Sequence, residues 1–208
     1  MASYQTKSAN PKRYLKSLFA TPLYSADLNL NLTNLQHFCK KHQQKNKTGE
    51  DKSNNGGYQS NFILPHKGPL NPLIKEIETN ANIFAQQFLN KKVTQKIESI
   101  WMNTNSYKDS NRVHNHPGSA ISGVYYIKAP KNCGHLKIDD PRSVASMSRP
   151  KQKEGKLPDR LLRETHYEPK AGRLIMFPSW LNHCVDPNQS DDIRISVSFN
   201  FLQAGMQA

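Results

Sequence analysis

Residues 193–202 read IRISVSFNFL, a short run rich in β-branched and aromatic side chains. Four earlier runs have the same character, and Gly, Pro, Asn and Asp residues separate them: residues 97–107, 120–129, 135–138 and 172–180. Short runs of this kind, divided by turn-forming residues, are typical of antiparallel strands. The pattern therefore predicts a mainly β fold, a sandwich or barrel of about eight short strands.

The region before residue 96 has a different character. Residues 14–35 predict a short strand followed by a helix that begins near Thr33, and residues 70–89 carry apolar side chains at helical spacing. Between them, residues 40–57 are polar and end in two glycines. That composition predicts a mobile surface loop.

A length of 208 residues suits one domain, so we expect residues 1–208 to fold as a single unit. This unit is divided into a helical and mixed N-terminal region, residues 1–95, and a β core, residues 96–208. A long basic stretch, residues 142–168, interrupts the β core. A loop of that length is often a lid or a binding loop.

Composition excludes several classes of protein. No run of about 18 apolar residues is present, which argues against a membrane span. The basic N-terminus lacks the apolar core of a secretory signal, so we predict a cytoplasmic location. Three cysteines without CxxC spacing predict neither a disulfide scaffold nor a zinc ribbon. The net charge of +13 is spread along the chain, and we interpret it mainly as a lysine-rich surface.

Two histidines stand close together in residues 111–117, which read NRVHNHP. In an extended segment His114 and His116 point to the same side, and two buried rings on one side need a partner. A metal ion is the usual partner of such a pair, and a solvated loop with two surface histidines is the alternative. A third candidate ligand, His183, lies far downstream beside Cys184. Adjacent residues on a strand face opposite sides, so these last two make a poor thiol–histidine dyad.

Eleven residues after His183, Arg194 opens a strand run as RIS. A buried arginine at a strand start needs an anionic partner, and its guanidinium grips a carboxylate as a bidentate fork. Ser196 points to the same side and can add a hydroxyl hydrogen bond. Three metal-type ligands beside a carboxylate clamp follow the chemical logic of non-haem iron oxygenases.

The order His114-x-His116, His183 and Arg194-x-Ser196, on a β core after N-terminal helices, resembles the iron- and 2-oxoglutarate-dependent oxygenases. More narrowly, the chain resembles a group of such oxygenases found in bacteria and their phages, including cyanophages. The resemblance extends over most of the chain from about residue 56, through GGYQS (56–60), HNHPGSAISGVYY (114–126), DPR (140–142), GRLIMFPSWLNH (172–183) and RISVSFN (194–200).

The resemblance implies a fold, an activity and a set of cofactors. The implied fold is a double-stranded β-helix, or jelly roll. The implied activity is that of a dioxygenase, which hydroxylates a substrate while 2-oxoglutarate is decarboxylated to succinate. Iron(II), 2-oxoglutarate and dioxygen are the implied cofactors and co-substrates, with ascorbate as a possible reductant. If the chain is phage-encoded, its predicted location is the host cytoplasm.

The chain departs from the superfamily at one ligand. His-x-Asp or His-x-Glu is usual where this chain has His114-x-His116. His116 matches the carboxylate by spacing and shares a side with His114, and imidazole is a good iron ligand. These arguments favour an iron site of three neutral imidazoles. The alternatives are that His114 and His183 bind alone, or that Asp139 or Asp140 completes the site.

The resemblance also implies a further hydrogen bond to the co-substrate, for which Tyr107, Tyr125 and Tyr126 are candidates. Strand alternation requires one of the last two to face the core. Asn103 and Asn105 lie on an inward-facing alternation near the site, and we assign them a structural role.

The two tryptophans and the remaining histidines are not predicted to bind the metal. Trp101 and Trp180 are predicted to lie in the core. His37, His42 and His66 are predicted at the surface and His135 at a turn, whereas His166, in the insertion, could touch a substrate without any specific support from the sequence.

Two other classes of function compete with the oxygenase. A non-catalytic, cupin-like metal-binding module would not need Arg194 at that distance from His183. A nucleic-acid-binding protein is supported only by the charge of +13, and salt-sensitive binding would favour it. The sequence leaves a protein side chain, an amino acid and a nucleotide open as substrate, and it does not predict an oligomeric state.

Overall fold

The computed structural model describes residues 14, 18–62, 68–87, 95–142, 144, 147 and 162–202. Within these residues the chain forms two helices and eleven strands. In chain order they are β1 (Tyr24–Asp27), α1 (Leu32–Lys45), β2 (Asn54–Asn55), β3 (Tyr58–Gln59), α2 (Asn71–Ala85), β4 (Ile97–Asn105), β5 (Ser110–His114), β6 (Ser119–Lys128), β7 (Leu136–Asp139), β8 (Glu164–Tyr167), β9 (Arg173–Pro178), β10 (His183–Val185) and β11 (Arg194–Leu202).

The strands form two sheets in which every pair is antiparallel. The major sheet has the strand order β1-β9-β6-β11-β4-β3, and the minor sheet has the order β2-β5-β10-β7-β8. A cluster of buried apolar side chains between the sheets draws on both of them, with Phe177 and Ile175 from β9 and Leu136 and Ile138 from β7. The predicted mainly β architecture is confirmed.

Strict alternation along β11 gives the major sheet two different faces. One set of side chains packs in the main hydrophobic core together with the residues of α1 and α2: Ile195, Val197, Phe199 and Phe201. The intervening set is polar and lines a cavity between the sheets: Arg194, Ser196 and Ser198. The central strand therefore carries the core on one side and polar, potentially functional groups on the other.

Both helices begin at recognisable sequence signals. The side chain of Asn31 accepts a hydrogen bond from the backbone nitrogen of Asn34 (3.0 Å) and so caps α1. Pro72 lies in the first turn of α2, where its missing N–H costs nothing. The helices contact β6 and β9, which confirms that the N-terminal helices pack on the β core. Neither helix has the length and apolarity that crossing a membrane requires.

Two predictions about loops are wrong in part. Helix α1 continues to Lys45, into the predicted mobile loop. The polar residues there lie on the solvent-facing side of an amphipathic helix, and Cys39 is buried on its inner side, so a polar composition alone did not indicate a loop. The predicted insertion also contains β8, which pairs with β7. The rest of that insertion, apart from its ends and residues 144 and 147, lies outside the described residues, as does His66.

Candidate functional site

Strand pairing brings the three candidate histidines together. His114 is the last residue of β5 and His183 is the first of β10, and the two lie opposite each other in the register of this pair. His116 follows the end of β5, where its backbone nitrogen donates to the carbonyl oxygen of Ser179 (3.0 Å). The potential ligand nitrogens of the three rings all lie within 4.8 Å of one another. This spacing allows one metal ion to contact all three rings.

Backbone carbonyls fix the ring orientation of two of the histidines. Nδ1 of His114 lies 2.7 Å from the carbonyl oxygen of Arg112, and Nδ1 of His183 lies 2.9 Å from that of Leu181. A carbonyl can only accept, so each Nδ1 carries the proton and donates it. Each Nε2 therefore keeps its lone pair for a metal, an arrangement that is common for metal-binding histidines.

Burial keeps these imidazoles neutral in the metal-free protein. Burial, with a smaller contribution from the nearby His114, lowers the pKa of His183 to about 3 and that of His116 to about 4. Burial also lowers the pKa of His114 itself, against the effect of its hydrogen bond to Arg112. At neutral pH all three rings are uncharged, which is the form that binds metal ions.

The histidines open into a cavity between the two sheets. Its wall on the major sheet is mostly polar and is formed by side chains of β4, β6 and β11: Asn103, Asn105, Ser122, Arg194, Ser196 and Ser198. The apolar part of the wall includes Val124, Leu136, Phe177 and Val185. Among the described residues that line this cavity there is no Asp or Glu.

Arg194 is a buried cation in this wall, and only 2% of its surface is exposed. Its Nη1 donates to the carbonyl oxygen of Cys133 and, at 3.4 Å, to that of Gly134. No carboxylate within the described part of the chain forms an ion pair with it. Burial accordingly lowers its pKa from the ordinary value. A buried guanidinium without a counter-anion is costly, so the site is suited to an anionic ligand.

The candidate tyrosines have different environments. Tyr126 is buried and lines the cavity, and burial raises the pKa of its phenol although the charge of Arg194 opposes this. Tyr125 points to the helix side, where its buried hydroxyl has no hydrogen-bond partner within the described structure. Tyr107 is 53% exposed, and Lys108 Nζ lies over its ring. The structure therefore brings Tyr126 to the site and leaves Tyr125 and Tyr107 away from it.

The structure does not bring Asp139 or Asp140 to the histidines, since neither belongs to the group of potential ligand atoms. Asp140 is instead bound bidentately by Arg142, with Nε–Oδ1 and Nη2–Oδ2 distances of 3.0 Å each. The backbone nitrogen of Arg142 also donates to Asp140 Oδ1, as expected for a turn at this stretch.

Trp101 is a site residue that the sequence interpretation missed. It is buried, as predicted, but it also lines the cavity, and its ring centroid lies 5.9 Å from that of His116. The signal was present in the alternation, because Trp101 points to the same side of β4 as Asn103 and Asn105.

Asn103 donates to Ser198 Oγ (3.1 Å), in agreement with a structural role. The other tryptophan, Trp180, is 55% exposed and not in the core.

The other residues considered from the sequence lie outside the cavity. His37 and His42 belong to α1, and His135 and His166 are exposed. His166 Nε2 lies 2.8 Å from Glu164 Oε1. All three cysteines are free.

Comparison with known proteins agrees with this geometry. Residues 99–200 match the family model described as "Putative 2OG-Fe(II) oxygenase", a span that contains the three histidines and Arg194. No curated protein sequence matches the chain significantly.

Several solved structures share the fold at low sequence identity. A prolyl-4-hydroxylase from Pseudomonas putida has a TM-score of 0.63 at 15% identity, over 89% of this chain and 94% of that one. SnoK, a non-heme alpha-ketoglutarate-dependent carbocyclase from nogalamycin biosynthesis, has a TM-score of 0.64 at 12% identity, over 88% and 80%. The viral collagen prolyl hydroxylase from Paramecium bursaria Chlorella virus-1 has a TM-score of 0.55 at 17% identity, over 86% and 94%.

The fold is therefore the double-stranded β-helix of the 2-oxoglutarate-dependent oxygenases. Residues 99–200, just under half of the chain, are similar to the 2OG-Fe(II) oxygenase family.

Proposed function

We propose that the protein is an iron(II)- and 2-oxoglutarate-dependent dioxygenase that hydroxylates its substrate while 2-oxoglutarate is decarboxylated to succinate. One observation carries the proposal. The buried guanidinium of Arg194, which has no ion-pair partner among the described residues, lines the same cavity as the three clustered histidines. A metal-storage module would not need a buried cation at this position. A dicarboxylate that binds the metal with one end would need a cation to bind its other carboxylate.

His114, His116 and His183 are the residues that would hold the iron. Their nitrogens are close enough to share one ion, and two of the rings are already oriented by backbone carbonyls. Neutral imidazole nitrogen is a ligand that iron accepts. When bound, the iron supplies a place where dioxygen and the keto acid end of 2-oxoglutarate meet beside the substrate.

Arg194 and Ser196 would bind the far carboxylate of 2-oxoglutarate. The guanidinium can form a bidentate fork, and the Ser196 hydroxyl lies two residues along the same face of β11. Tyr126 lines the same region, and its burial keeps the phenol protonated, so it can donate a hydrogen bond.

The charge of the cavity also suits this co-substrate. The wall carries one guanidinium and no carboxylate among the described residues, and 2-oxoglutarate is a dianion. Its two negative charges would be shared between the guanidinium and the metal. In a partly buried cavity such complementarity has a larger effect than in water.

The finer parts of the function remain proposals. Dioxygen as co-substrate and ascorbate as reductant come from the family resemblance, and so does hydroxylation as the outcome. A polyanionic substrate such as a nucleic acid would be compatible with the net charge of +13. The cytoplasmic location stays a prediction from the sequence.

Anaerobic titration of the ferrous protein with 2-oxoglutarate tests the proposal. Chelation of iron by the keto acid gives a visible metal-to-ligand charge-transfer band. We expect this band in the wild type, and we expect Arg194→Ala to need a much higher 2-oxoglutarate concentration to develop it. Arg173→Ala is the matched control, since this arginine lies on the edge pair β1–β9 and binds Asp27. No band in the wild type would refute the assignment of the co-substrate.

A further inference from the structure

We propose that Gly134 is a positioning residue for Arg194, and that the Cys133–Gly134 turn aims the guanidinium at the far carboxylate of 2-oxoglutarate. This inference rests on the proposed function. It adds a residue that belongs to neither the histidine group nor the pair Arg194 and Ser196.

The turn occupies one end of the guanidinium and leaves the other end free. The carbonyl oxygens of Cys133 and Gly134 both accept from Nη1 of Arg194. Both contacts therefore lie at the Nη1 end of the guanidinium. No oxygen of a described residue accepts a hydrogen bond from Nε or Nη2, although the Cys133 thiol also lies close to the guanidinium. The edge formed by these two nitrogens is therefore available to a ligand.

Two other arginines in this protein show how that edge binds a carboxylate. Arg142 binds Asp140 through Nε and Nη2, at 3.0 Å each. Arg173 binds Asp27 through the same two nitrogens, at 2.8 and 3.1 Å. Arg194 has the same edge unoccupied at the cavity wall. The Cys133–Gly134 turn thus prepares Arg194 for bidentate binding by holding its opposite side.

Only glycine fits at position 134 while the turn keeps this shape. Gly134 has a φ of +86°, and a Cβ there would lie 2.1 Å from the carbonyl oxygen of Asp186 and 3.1 Å from Arg194 Nη1. The Asp186 backbone cannot easily move, because its nitrogen donates to the carbonyl oxygen of His135 (3.0 Å). An alanine would therefore displace the turn and its carbonyl oxygens away from Nη1.

The expected consequence is a selective loss of co-substrate affinity. If the carbonyls move, the guanidinium loses its fixed orientation and the far carboxylate is bound less well. His114 and His183 lie on β5 and β10, His116 follows β5, and the hydrogen bonds of all three to backbone carbonyls do not involve the turn. Metal binding should therefore be retained.

The experiment compares two chelating ligands on the iron(II)-loaded full chain under anaerobic conditions. 2-Oxoglutarate reaches both the metal and Arg194, whereas oxalate can chelate the metal but has no distal carboxylate. We expect Gly134→Ala to weaken 2-oxoglutarate binding by about 10-fold or more, the effect of losing a hydrogen bond to a charged group. Oxalate affinity and iron affinity should stay close to those of the wild type, because neither ligand uses the guanidinium that the turn holds.

Gly118→Ala is the matched control for backbone strain. Gly118 has a φ of +88°, and a Cβ at that position meets nothing within 4 Å. This variant should bind both ligands as the wild type does. If Gly134→Ala also binds 2-oxoglutarate normally, or loses oxalate to the same extent, the positioning role is refuted. A wild-type protein that binds oxalate but not 2-oxoglutarate would refute the proposed function itself.

A measurement on the wild type covers the case in which Gly134→Ala does not fold. In protein with ¹⁵N-labelled arginine and zinc in place of iron, Arg194 is assigned by the signals that disappear in Arg194→Lys. Adding 2-oxoglutarate should shift the Nε and Nη2 signals of Arg194 and leave those of Nη1 nearly unchanged. A main shift at Nη1 would show that the ligand uses the edge assigned to the turn, and would overturn the inference.

Discussion

His183 and His114 lie directly opposite each other in the antiparallel pair β10–β5, with ring centroids 4.2 Å apart. Strand register alone therefore fixes the spacing of two of the three imidazoles. His116 follows the end of the strand and depends on the hydrogen bond of its backbone nitrogen to Ser179. A metal ion held by all three would tie β5 to β10, so we expect metal binding to stabilise the minor sheet.

His116 is the position that distinguishes this site from the common pattern. His116→Ala should lower iron(II) affinity by roughly 100-fold. Loss of a residue that only hydrogen-bonds to a metal ligand already lowers metal affinity by about 10- to 100-fold. His116→Asp should retain most of the affinity, because it restores the ligand type usual in the superfamily. Metal-binding titrations measure both, with His166→Ala as a control at an exposed histidine. Unchanged affinity in His116→Ala would remove His116 from the site.

Arg194→Lys keeps the positive charge but removes the fork. We expect 2-oxoglutarate affinity to fall by roughly 10- to 100-fold, corresponding to the loss of a hydrogen bond between charged groups. The anaerobic titration of the charge-transfer band measures the change. Arg173→Lys, at an exposed carboxylate pair, should leave the affinity unaltered. A lysine variant with wild-type affinity would mean that charge alone binds the co-substrate.

The adjacent tyrosines should respond in opposite ways to loss of the hydroxyl. Tyr125→Phe removes a buried hydroxyl that has no hydrogen-bond partner in the described part of the chain, so we expect the free energy of unfolding to rise by about 1 kcal/mol. Its 2-oxoglutarate affinity should not change. Tyr126→Phe should weaken 2-oxoglutarate binding several-fold, because this phenol lines the cavity. Urea unfolding and ligand titration of both variants test the assignment, and a reversed pattern would contradict it.

A surface ion pair should contribute to the acid sensitivity of the fold. Asp27 lies opposite Arg173 in the β1–β9 register, and hydrogen bonds from Arg173 and Lys170 hold the pKa of its carboxyl well below the ordinary value. A carboxyl with a depressed pKa in the folded state stabilises the protein above its unfolded pKa of about 3.9 and loses this effect as the pH falls.

Asp27→Asn should therefore lower stability at pH 7, and the difference from the wild type should shrink as the pH falls from about 5 to about 2. Urea unfolding at several pH values measures this, and high salt should reduce the difference because the pair is exposed. A difference that does not vary with pH would show that the pair does not couple to folding.

The strongly patterned parts of the fold could be predicted from the sequence. Strands β4, β6, β9 and β11 are rich in apolar residues, and each lies within a predicted run or extends one residue beyond it. The strands of the minor sheet were harder to recognise. Strands β5, β8 and β10 read SNRVH, ETHY and HCV, which are too short and too polar to show a two-residue repeat. Long-range pairing defines these strands, and a local pattern does not contain that information.

The site was predictable where chemistry restricts the choice of residue. Histidine spacing and the RIS run led to His114, His116, His183 and Arg194, which the structure brings to one cavity. The role of the Cys133–Gly134 turn could not be predicted, because it depends on two backbone carbonyls, and carbonyl groups occur at every residue. Trp180 was misplaced for a related reason. It follows the end of β9, where the strand alternation no longer determines which residues face inward.

The alternation of β11 limits how far this protein can be divided. Residues 99–200 contain the family match and all of the candidate ligands, yet one face of their central strand is covered by α1 and α2. Expressed alone, this segment would expose Val197, Phe199 and their neighbours to water. The segment that matches the family model therefore leaves out the helices that cover one face of its central strand, and these helices support the site although none of their described residues lines its cavity.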